Sequence, residues 1–503
     1  MLASMTDSTE PIAARQFAAL DLGSNSFHMV VAQEGENGLL TVVDRLKQSV
    51  RLAAGLDDDG SLSDDAESRA LACLQVFGER LRDLPPNQVR AVGTNTLRKA
   101  KDVIGFLERA KEALGHRVDV ISGREEARLI YRGVVRDVDS PGCMLVMDIG
   151  GGSTELIIGE GAEPTQLDSL FMGCVSWTKR FFPNGTITNK GMDEAILAAR
   201  REMQSVVRAY RKAGWQQAVG SSGTIVAIER ILQAKGHAQI DKEGLDWLRK
   251  KLVKAGDVED VTLEGLTDNR RPVIAGGVAI LSALMQGLRI GQMQATSNAL
   301  REGVLLELIG RERQADIREA TVRHLISRFE IDARQAFRVQ HTALSLFEQV
   351  RKEWNLKPRH RSLLRWSAAL HEAGMFMTYS GYHKHGAYLL THADMPGFSR
   401  QEQRCVAALV RGHRGKPTKE KIAEVAPMWD RPLLHLVCLL RIASHIHRRR
   451  SPRSVPEVRA AAQNRTIRLT FPGGWLDERP LSRADLVEDA GRLEGLGYHI
   501  TVA

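Results

Sequence analysis

Cysteine is scarce in this chain and never closely paired. The 503 residues hold five, Cys73, Cys143, Cys174, Cys405 and Cys438, with no CxxC among them. That pattern excludes a disulfide framework and a zinc ribbon, and it fits a reducing compartment. Long apolar runs are missing too. The first sixteen residues, MLASMTDSTEPIAARQ, contain no apolar signal-peptide core. The longest uncharged stretch, residues 272–288, interrupted by Gly276 and Gly277, is shorter than the roughly 20 residues a membrane span needs. It reads as a buried helix. The expectation is a cytoplasmic chain with no transmembrane segment, a peripheral position at the inner membrane face being the alternative. No low-complexity segment is long enough to matter.

Charge is present but unevenly spread. The net charge is +9, yet residues 1–310 sum to −4 and residues 311–503 to +13, and twelve of the fifteen histidines follow residue 310. The front reads as a site-bearing body and the back as a surface for something anionic. Charge alone leaves a solvated face, nucleic acid or another polyanion open. A hydrophobic fraction of 43% supplies ordinary cores, and the length suggests three or four domains.

Residues 17–33, FAALDLGSNSFHMVVAQ, run apolar, then Asp-x-Gly-x-Asn, then apolar again. A tight hairpin explains this locally, since Asp, Gly, Ser and Asn are turn residues. Residues 144–160, MLVMDIGGGSTELIIGE, repeat the device, with Asp148 in the place of Asp21. Two copies suggest a duplication, hence two lobes with a loop facing a cleft from each side. Gly-Ser loops expose backbone N–H groups that bind phosphate oxygens. The Asp heading each loop can hold Mg²⁺, which prefers oxygen ligands.

Strands are expected at 17–22, 27–33, 39–45, 88–93 and 117–121, with helices at 63–83, 97–113 and 123–134. Further strands fall at 144–148, 154–159 and 165–171, and helices at 189–213, 223–235 and 272–288. Residues 314 to about 450 read as helical by apolar periodicity. RRRSPRSVP at 448–456 marks a boundary, and the tail, TIRLTF to GYHITVA, reads as a small α/β piece. The expected domains are a flexible 1–16, lobes over 17–135 and 136–310, a helical domain over 311–450, and 451–503.

Three segments could carry chemistry. In ISGREEARLIY, residues 121–131, Ser122-x-x-Glu125 reads as a capping box, with Glu125 folding back onto the Ser122 N–H. That leaves Glu126 without a structural task. Acids in a first helical turn are favoured by the helix dipole, so a plain role stays open. A carboxylate beside a bound phosphoryl group can also accept a proton from attacking water. In VGTNTLR, residues 92–98, Arg98 offers a planar donor fork suited to phosphate. GSSG at 220–223 sits between a strand and a helix, as a phosphate or nucleotide contact or as a plain turn.

In this order and spacing, ALDLGSNSFHMVV, VGTNTLR, ISGREEARLIY, MDIGGGSTELIIG, GSSGTIVA and NALREGVL resemble the exopolyphosphatase and guanosine pentaphosphate phosphohydrolase family, of the actin-like, sugar-kinase and Hsp70 ATPase superfamily. The resemblance spans essentially the whole chain. LLRWSAALHEAG, HKHGAYLL and DMPGFSRQEQ look like the helical domain of the long members, and with RGHR at 411–414 they look closer to the exopolyphosphatase branch. The implied fold is α/β: two actin-like (ribonuclease H-like) lobes around a cleft, an all-helical HD-like domain and a small C-terminal α/β domain. The implied catalytic base is Glu126. Asp148 and Glu155 are implied to bind Mg²⁺ or orient water. Ser24, Asn25, Arg98, Gly150, Gly151, Gly152 and Ser153 are implied to hold phosphates.

The expected reaction is processive hydrolysis of inorganic polyphosphate from its ends, by in-line attack of water. Cleavage of guanosine pentaphosphate (pppGpp) is the alternative, and the resemblance implies a homodimer. An actin-like nucleotide-binding switch and an HD-type nucleotide hydrolase are further readings. A polyphosphate track is expected over the basic half, with His383, His385, Arg411 and Arg414, and no nucleic acid. Where HD-type metal phosphohydrolases have His-Asp, this chain has His371-Glu372, with His341 and His413 as possible further ligands. The longer Glu would displace the carboxylate, so structural histidines are the simpler reading.

Overall fold

The duplicated strand–loop–strand device builds two related sheets. In the computed structural model of the chain, residues 15–35, 40–57, 59–136, 142–313, 315–427, 431–451 and 457–503 are described. The expected flexible N-terminus therefore lies outside the described residues up to residue 14, as does the boundary segment over 452–456. The chain divides into two compact units, Met1–Asp316 and Ile317–Ala503.

In the first unit, β1 (Gln16–Leu22), β2 (Ser26–Glu34), β3 (Leu40–Ser49), β4 (Val89–Gly93) and β5 (Val118–Val120) form a sheet in the order β3-β2-β1-β4-β5. The second sheet contains β6 (Cys143–Ile149), β7 (Thr154–Glu160), β8 (Glu163–Leu170), β9 (Gln217–Ser221), β10 (Ile240–Asp241) and β11 (Gln292–Ala295), in the order β10-β11-β9-β6-β7-β8. The strands correspond. β1 pairs antiparallel with β2 and parallel with β4, and β6 pairs antiparallel with β7 and parallel with β9. Asp21 faces His28 across the first hairpin, and Asp148 faces Glu155 across the second. The central strands are buried along nearly their whole length, as their continuous apolar runs require. The apolar segment Arg271–Leu288 is long enough to cross a membrane, but 83% of it is buried inside the protein. It is the core helix of the second lobe.

Two expected helices are each broken in two. The segment 97–113 forms Asn95–Lys99 and Val103–Leu114, the second started by Asp102, whose carboxylate accepts from the Gly105 N–H at 3.3 Å. The segment 189–213 breaks at Met203. The helix Leu300–Glu312 returns to the first lobe and packs on β1 and on the helix Gly123–Val135. Gly303 and Gly133 lie at this crossing, and a Cβ on Gly303 would overlap the Leu129 carbonyl oxygen. Gly303→Ala is expected to destabilise the first unit by about 1–3 kcal/mol, the usual range for overpacking, read as a lower urea midpoint at unchanged m-value. A buried ion network seals the same joint. Arg90 Nη1 donates to Glu307 Oε1 at 2.6 Å, and Arg128 pairs with both Glu307 and Glu125.

Among the described residues, the second unit between Ile317 and Ile446 is built of helices joined by loops. A sheet ordered β12-β13-β14, β12 (Arg459–Gln463), β13 (Thr466–Thr470) and β14 (His499–Val502), closes onto it with the helix Pro480–Glu494. Ile467, Leu469 and Tyr498 are buried in the same core as Val437 and Leu440.

Candidate active site

Open α/β sheets place their sites outside the carboxyl ends of parallel strands. The ends of β1, β4 and β6 bring Asp21, Thr94 and Asp148 to one cleft of about 730 Å³, and β9 brings Ser222 and Gly223. The two duplicated loops meet there. A Cβ on Gly151 would lie 2.9 Å from the Ser24 Cβ, and one on Gly152 would lie 2.5 Å from Asn95 Oδ1. Only glycine fits so close an approach, and it leaves backbone N–H groups open to an anion. The second loop turns on a Gly150 N–H to Ser153 carbonyl bond of 3.0 Å. Ser24 is fixed by Thr96, whose hydroxyl donates to the Ser24 Oγ at 2.8 Å. Ser24, Asn25, Gly150, Gly151, Gly152 and Ser153 all line the cleft.

Acids gather at its floor. Asp21 Oδ1 is sealed from solvent without a partner. Burial, then the charge of Glu126, pushes the Asp21 carboxyl up to about 8. Burial pushes Asp148 up to about 6, against a hydrogen bond from Ser221. Glu155 is fully buried, with Ser169 donating to Oε1 at 2.8 Å and Oε2 left without a partner. Burial, then Glu126 and Asp148, raises it well above the ordinary range. Asp148 lines the cleft and Glu155 lies behind its wall. Orphaned carboxylate oxygens facing like charges are chemically suited to a hard divalent cation. Among the described residues, however, no group of three or more His, Cys, Asp or Glu side chains is arranged to hold a metal ion. The described residues supply too few donors to cage an ion unaided, and any cation held here would complete its shell with water and substrate phosphates.

Glu126 lines the cleft in the first turn of the helix Gly123–Val135. Ser122 caps this helix as expected, accepting from the Glu125 N–H at 3.1 Å. The Glu125 carboxylate has a different task from the one expected: it takes two 2.8 Å bonds from Arg128. Arg98 is also placed differently from a cleft-lining phosphate ligand. It sits behind Glu126, donating to Glu126 Oε2 at 2.6 Å and to the Ile121 carbonyl at 3.2 Å.

The cations that do line the cleft escaped the sequence reading: Arg45, Lys47, Arg230, Arg270 and Arg301. Burial, then Arg270, Arg301 and Arg230, lowers the Lys47 ammonium. Burial, then Arg301 and Lys47, pushes His28 down to about 3. Such crowding is complementary to a polyanion. GSSG belongs to the site as well. Ser222 lines the cleft at φ 87°, a left-handed conformation unusual for serine.

The HD-like residues form a different kind of cluster. With the ring tautomers assigned from their contacts, His371 Nδ1 donates to the Ala368 carbonyl at 2.7 Å and His413 Nδ1 to the Val410 carbonyl at 2.6 Å. The Glu372 carboxylate is taken by Arg450, a cation where a metal ligand would have to be free. His341 stacks on Phe337 instead. Of the expected track residues, His383 is buried, and burial followed by Arg411 pushes it down to about 4. Arg414 lies over the rings of Tyr379 and Tyr382, and His385 is half-buried.

Fold, cleft and loops together define two actin-like lobes around an anion-binding cleft, and the comparison with known proteins gives the family. The pattern of the Ppx/GppA phosphatase family matches residues 30–312, and that of Ppx/GppA phosphatase, domain III, matches residues 317–490. The chain belongs to the Ppx/GppA phosphatase family. A relative from Aeromonas hydrophila named guanosine-5'-triphosphate,3'-diphosphate pyrophosphatase is 39% identical over 484 residues, 96% of this chain and 97% of its own length. One of the same name from Vibrio cholerae is 39% identical over 496 residues, covering 98% and 99%. The crystal structure of an exopolyphosphatase from Cytophaga hutchinsonii matches 59% of this chain and 98% of its own, at TM-score 0.54 and 24% identity. That likeness concerns the fold alone.

Proposed function

We propose that the chain is a Mg²⁺-dependent phosphohydrolase that removes the terminal 5′-phosphate of pppGpp. The observation that carries this reading is the name borne by relatives matching 96–98% of the chain at 38–39% identity. It reverses the order expected from the sequence, where polyphosphate came first. The reaction is in-line displacement by water, in which positioning and charge stabilisation do most of the catalysis. The loops 23–26 and 150–153 hold phosphate oxygens through backbone N–H groups. Glu126 accepts the proton of the attacking water. Arg301, Arg270 and Lys47 offset the remaining substrate charge. Asp21 and Asp148 would hold Mg²⁺, which supplies Lewis acidity to the phosphoryl oxygens when bound. The family resemblance adds a homodimer, which sedimentation velocity would reveal.

Polyphosphate is the second reading, favoured by the +13 carried by residues 311–503. A panel of pppGpp, long-chain polyphosphate, tripolyphosphate and ATP separates the two. The expected result is a kcat/KM for pppGpp at least tenfold above that for polyphosphate. The reverse order returns polyphosphate to first place, and turnover of none of the four favours a binding switch.

A pH effect accompanies this reading. Asp21 and Asp148 titrate higher in the folded protein than in an unfolded chain, so the stability they contribute is full below the unfolded value and is lost as pH rises through about 6 and then about 8. The metal-free protein should melt at a lower temperature at pH 8.5 than at pH 5.5 if these groups dominate. Millimolar Mg²⁺ should recover the difference at pH 8.5 and have little effect at pH 5.5. A Mg²⁺ effect independent of pH would remove both aspartates from the metal site.

A further inference from the structure

Asp21, Glu126 and Asp148 line the floor of this cleft with Glu155 behind its wall, and only a charged, correctly aimed carboxylate can serve as general base. Asp21 approaches from β1, Asp148 from β6 and Glu155 from β7, and each is pushed up partly by the charge of Glu126. On its own helix, Glu126 is followed by Arg128, which Glu125 and Glu307 already engage. Of Asp21, Asp148, Glu155 and Glu126, Glu126 is the one that has a guanidinium within hydrogen-bonding distance among the described residues, that of Arg98 at 2.6 Å; at the cleft's rim Asp268 pairs separately with Arg271. The same Arg98 Nη1 donates to the carbonyl of Ile121, the residue just before the helix cap Ser122. One half-buried side chain thus ties the incoming strand end to the first helical turn and grips one carboxylate oxygen.

We infer that Arg98 is the positioning residue for Glu126: it binds Oε2, leaves the other oxygen to the attacking water, and touches no phosphate. The expectation that Arg98 neutralises the terminal phosphate is unnecessary. Five cations already line the cleft, and Arg98 is not among the residues that do. The guanidinium carries out two tasks at once. Its charge offsets Glu155 as well as Glu126, and Nη1, anchored on the Ile121 carbonyl, fixes the direction from which the carboxylate is held. This inference rests on the reading of Glu126 as the base.

The test uses the full chain, with pppGpp as substrate, and the variants Arg98→Lys, Arg98→Met, Glu126→Gln and Arg98→Met/Glu126→Gln. Arg98→Met is expected to lower kcat by about 10²-fold, within the range a positioned base supplies, with KM changed less than about threefold. Its acid limb should shift to higher pH, since Glu126 and the neighbouring Glu155 lose the counter-charge of Arg98. Arg98→Lys should recover part of kcat, and it carries the test if the Met variant fails to fold. The double variant should be no slower than Glu126→Gln alone, because the two residues act as a unit. A KM raised tenfold or more at near-normal kcat would make Arg98 a phosphate ligand and overturn the inference. So would additive losses in the double variant. If Glu126→Gln turns over normally, it is the base reading that has failed; an Arg98→Met enzyme slowed beside it would then locate Arg98's role elsewhere.

Discussion

Glu126→Gln is expected to lose about 10²–10⁴ in kcat, the usual contribution of a positioned general base, with a smaller loss of stability than Glu125→Gln, because it orphans Arg98 but removes a charge that repels Asp21, Asp148 and Glu155. Glu125→Gln is expected to do the opposite. The two side chains are adjacent in sequence and alike in chemistry, yet about 100° of helical rotation sends them to different neighbours. Glu126 reaches the cleft. Glu125 is 3% exposed and held in the Arg128–Glu307–Arg90 network that joins the helices Gly123–Val135 and Leu300–Glu312. Neutralising one member of a buried ion pair costs roughly 3 kcal/mol or more, and here Glu307 remains to hold Arg128. Glu125→Gln should therefore unfold more easily, with the surviving folded enzyme keeping most of its kcat. Steady-state kinetics and equilibrium unfolding of both variants decide the matter. Equal losses of kcat would dissolve the distinction and leave neither acid as the base.

That distinction was half legible in the sequence. Ser122 announced the helix start and separated Glu126 from its neighbours. Arg128, three residues after Glu125, was a readable partner at helical spacing, but the capping pattern offered Glu125 a competing local bond. Asp21 and Asp148 were legible because duplication repeats a pattern that a hairpin alone would not. The cationic wall was not legible. Arg45 and Lys47 come from β3, Arg230 from the helix Ser222–Ala234, and Arg301 from the helix Leu300–Glu312. Only the tertiary fold joins them, and no local spacing encodes that. The break at 100–102 carried a signal, Asp102 as an N-cap, whereas the break at Met203 has neither Gly nor Pro to mark it. The choice between pppGpp and polyphosphate was not legible either, because the motifs on the two loops serve any terminal phosphate equally well.

Arg441→Met should strongly destabilise the second unit. Arg441 is completely buried on the helix Arg431–Ile446. Its guanidinium donates from Nε to Asp489 Oδ2 at 3.0 Å, from Nη1 to the Gly412 carbonyl at 2.7 Å and from Nη2 to the Gly415 carbonyl at 2.9 Å, and it also pairs with Asp489 Oδ1. One side chain therefore fastens the C-terminal helix Pro480–Glu494 and the 412–415 turn to the same core helix. Met fills much of the volume but satisfies none of these acceptors. Asp489 would keep only His445, 3.1 Å from Oδ1. Removing one partner of a buried pair costs about 3–5 kcal/mol, a large share of a domain's stability. Burial alone would raise the Asp489 carboxyl, but His445 and Arg441 together hold it below its ordinary value. Its contribution is therefore present above the unfolded carboxylate value and is lost as pH falls through the lower folded one. The decisive comparison is with Arg441→Met/Asp489→Leu, which leaves no unpaired charge behind. Urea unfolding should find the double variant more stable than Arg441→Met by about 1–3 kcal/mol, because buried pairs exchanged for apolar residues are often neutral while broken ones are not. If the double variant is as unstable as the single one, the loss comes from the orphaned Gly412 and Gly415 carbonyls, and the turn rather than the ion pair is what Arg441 holds.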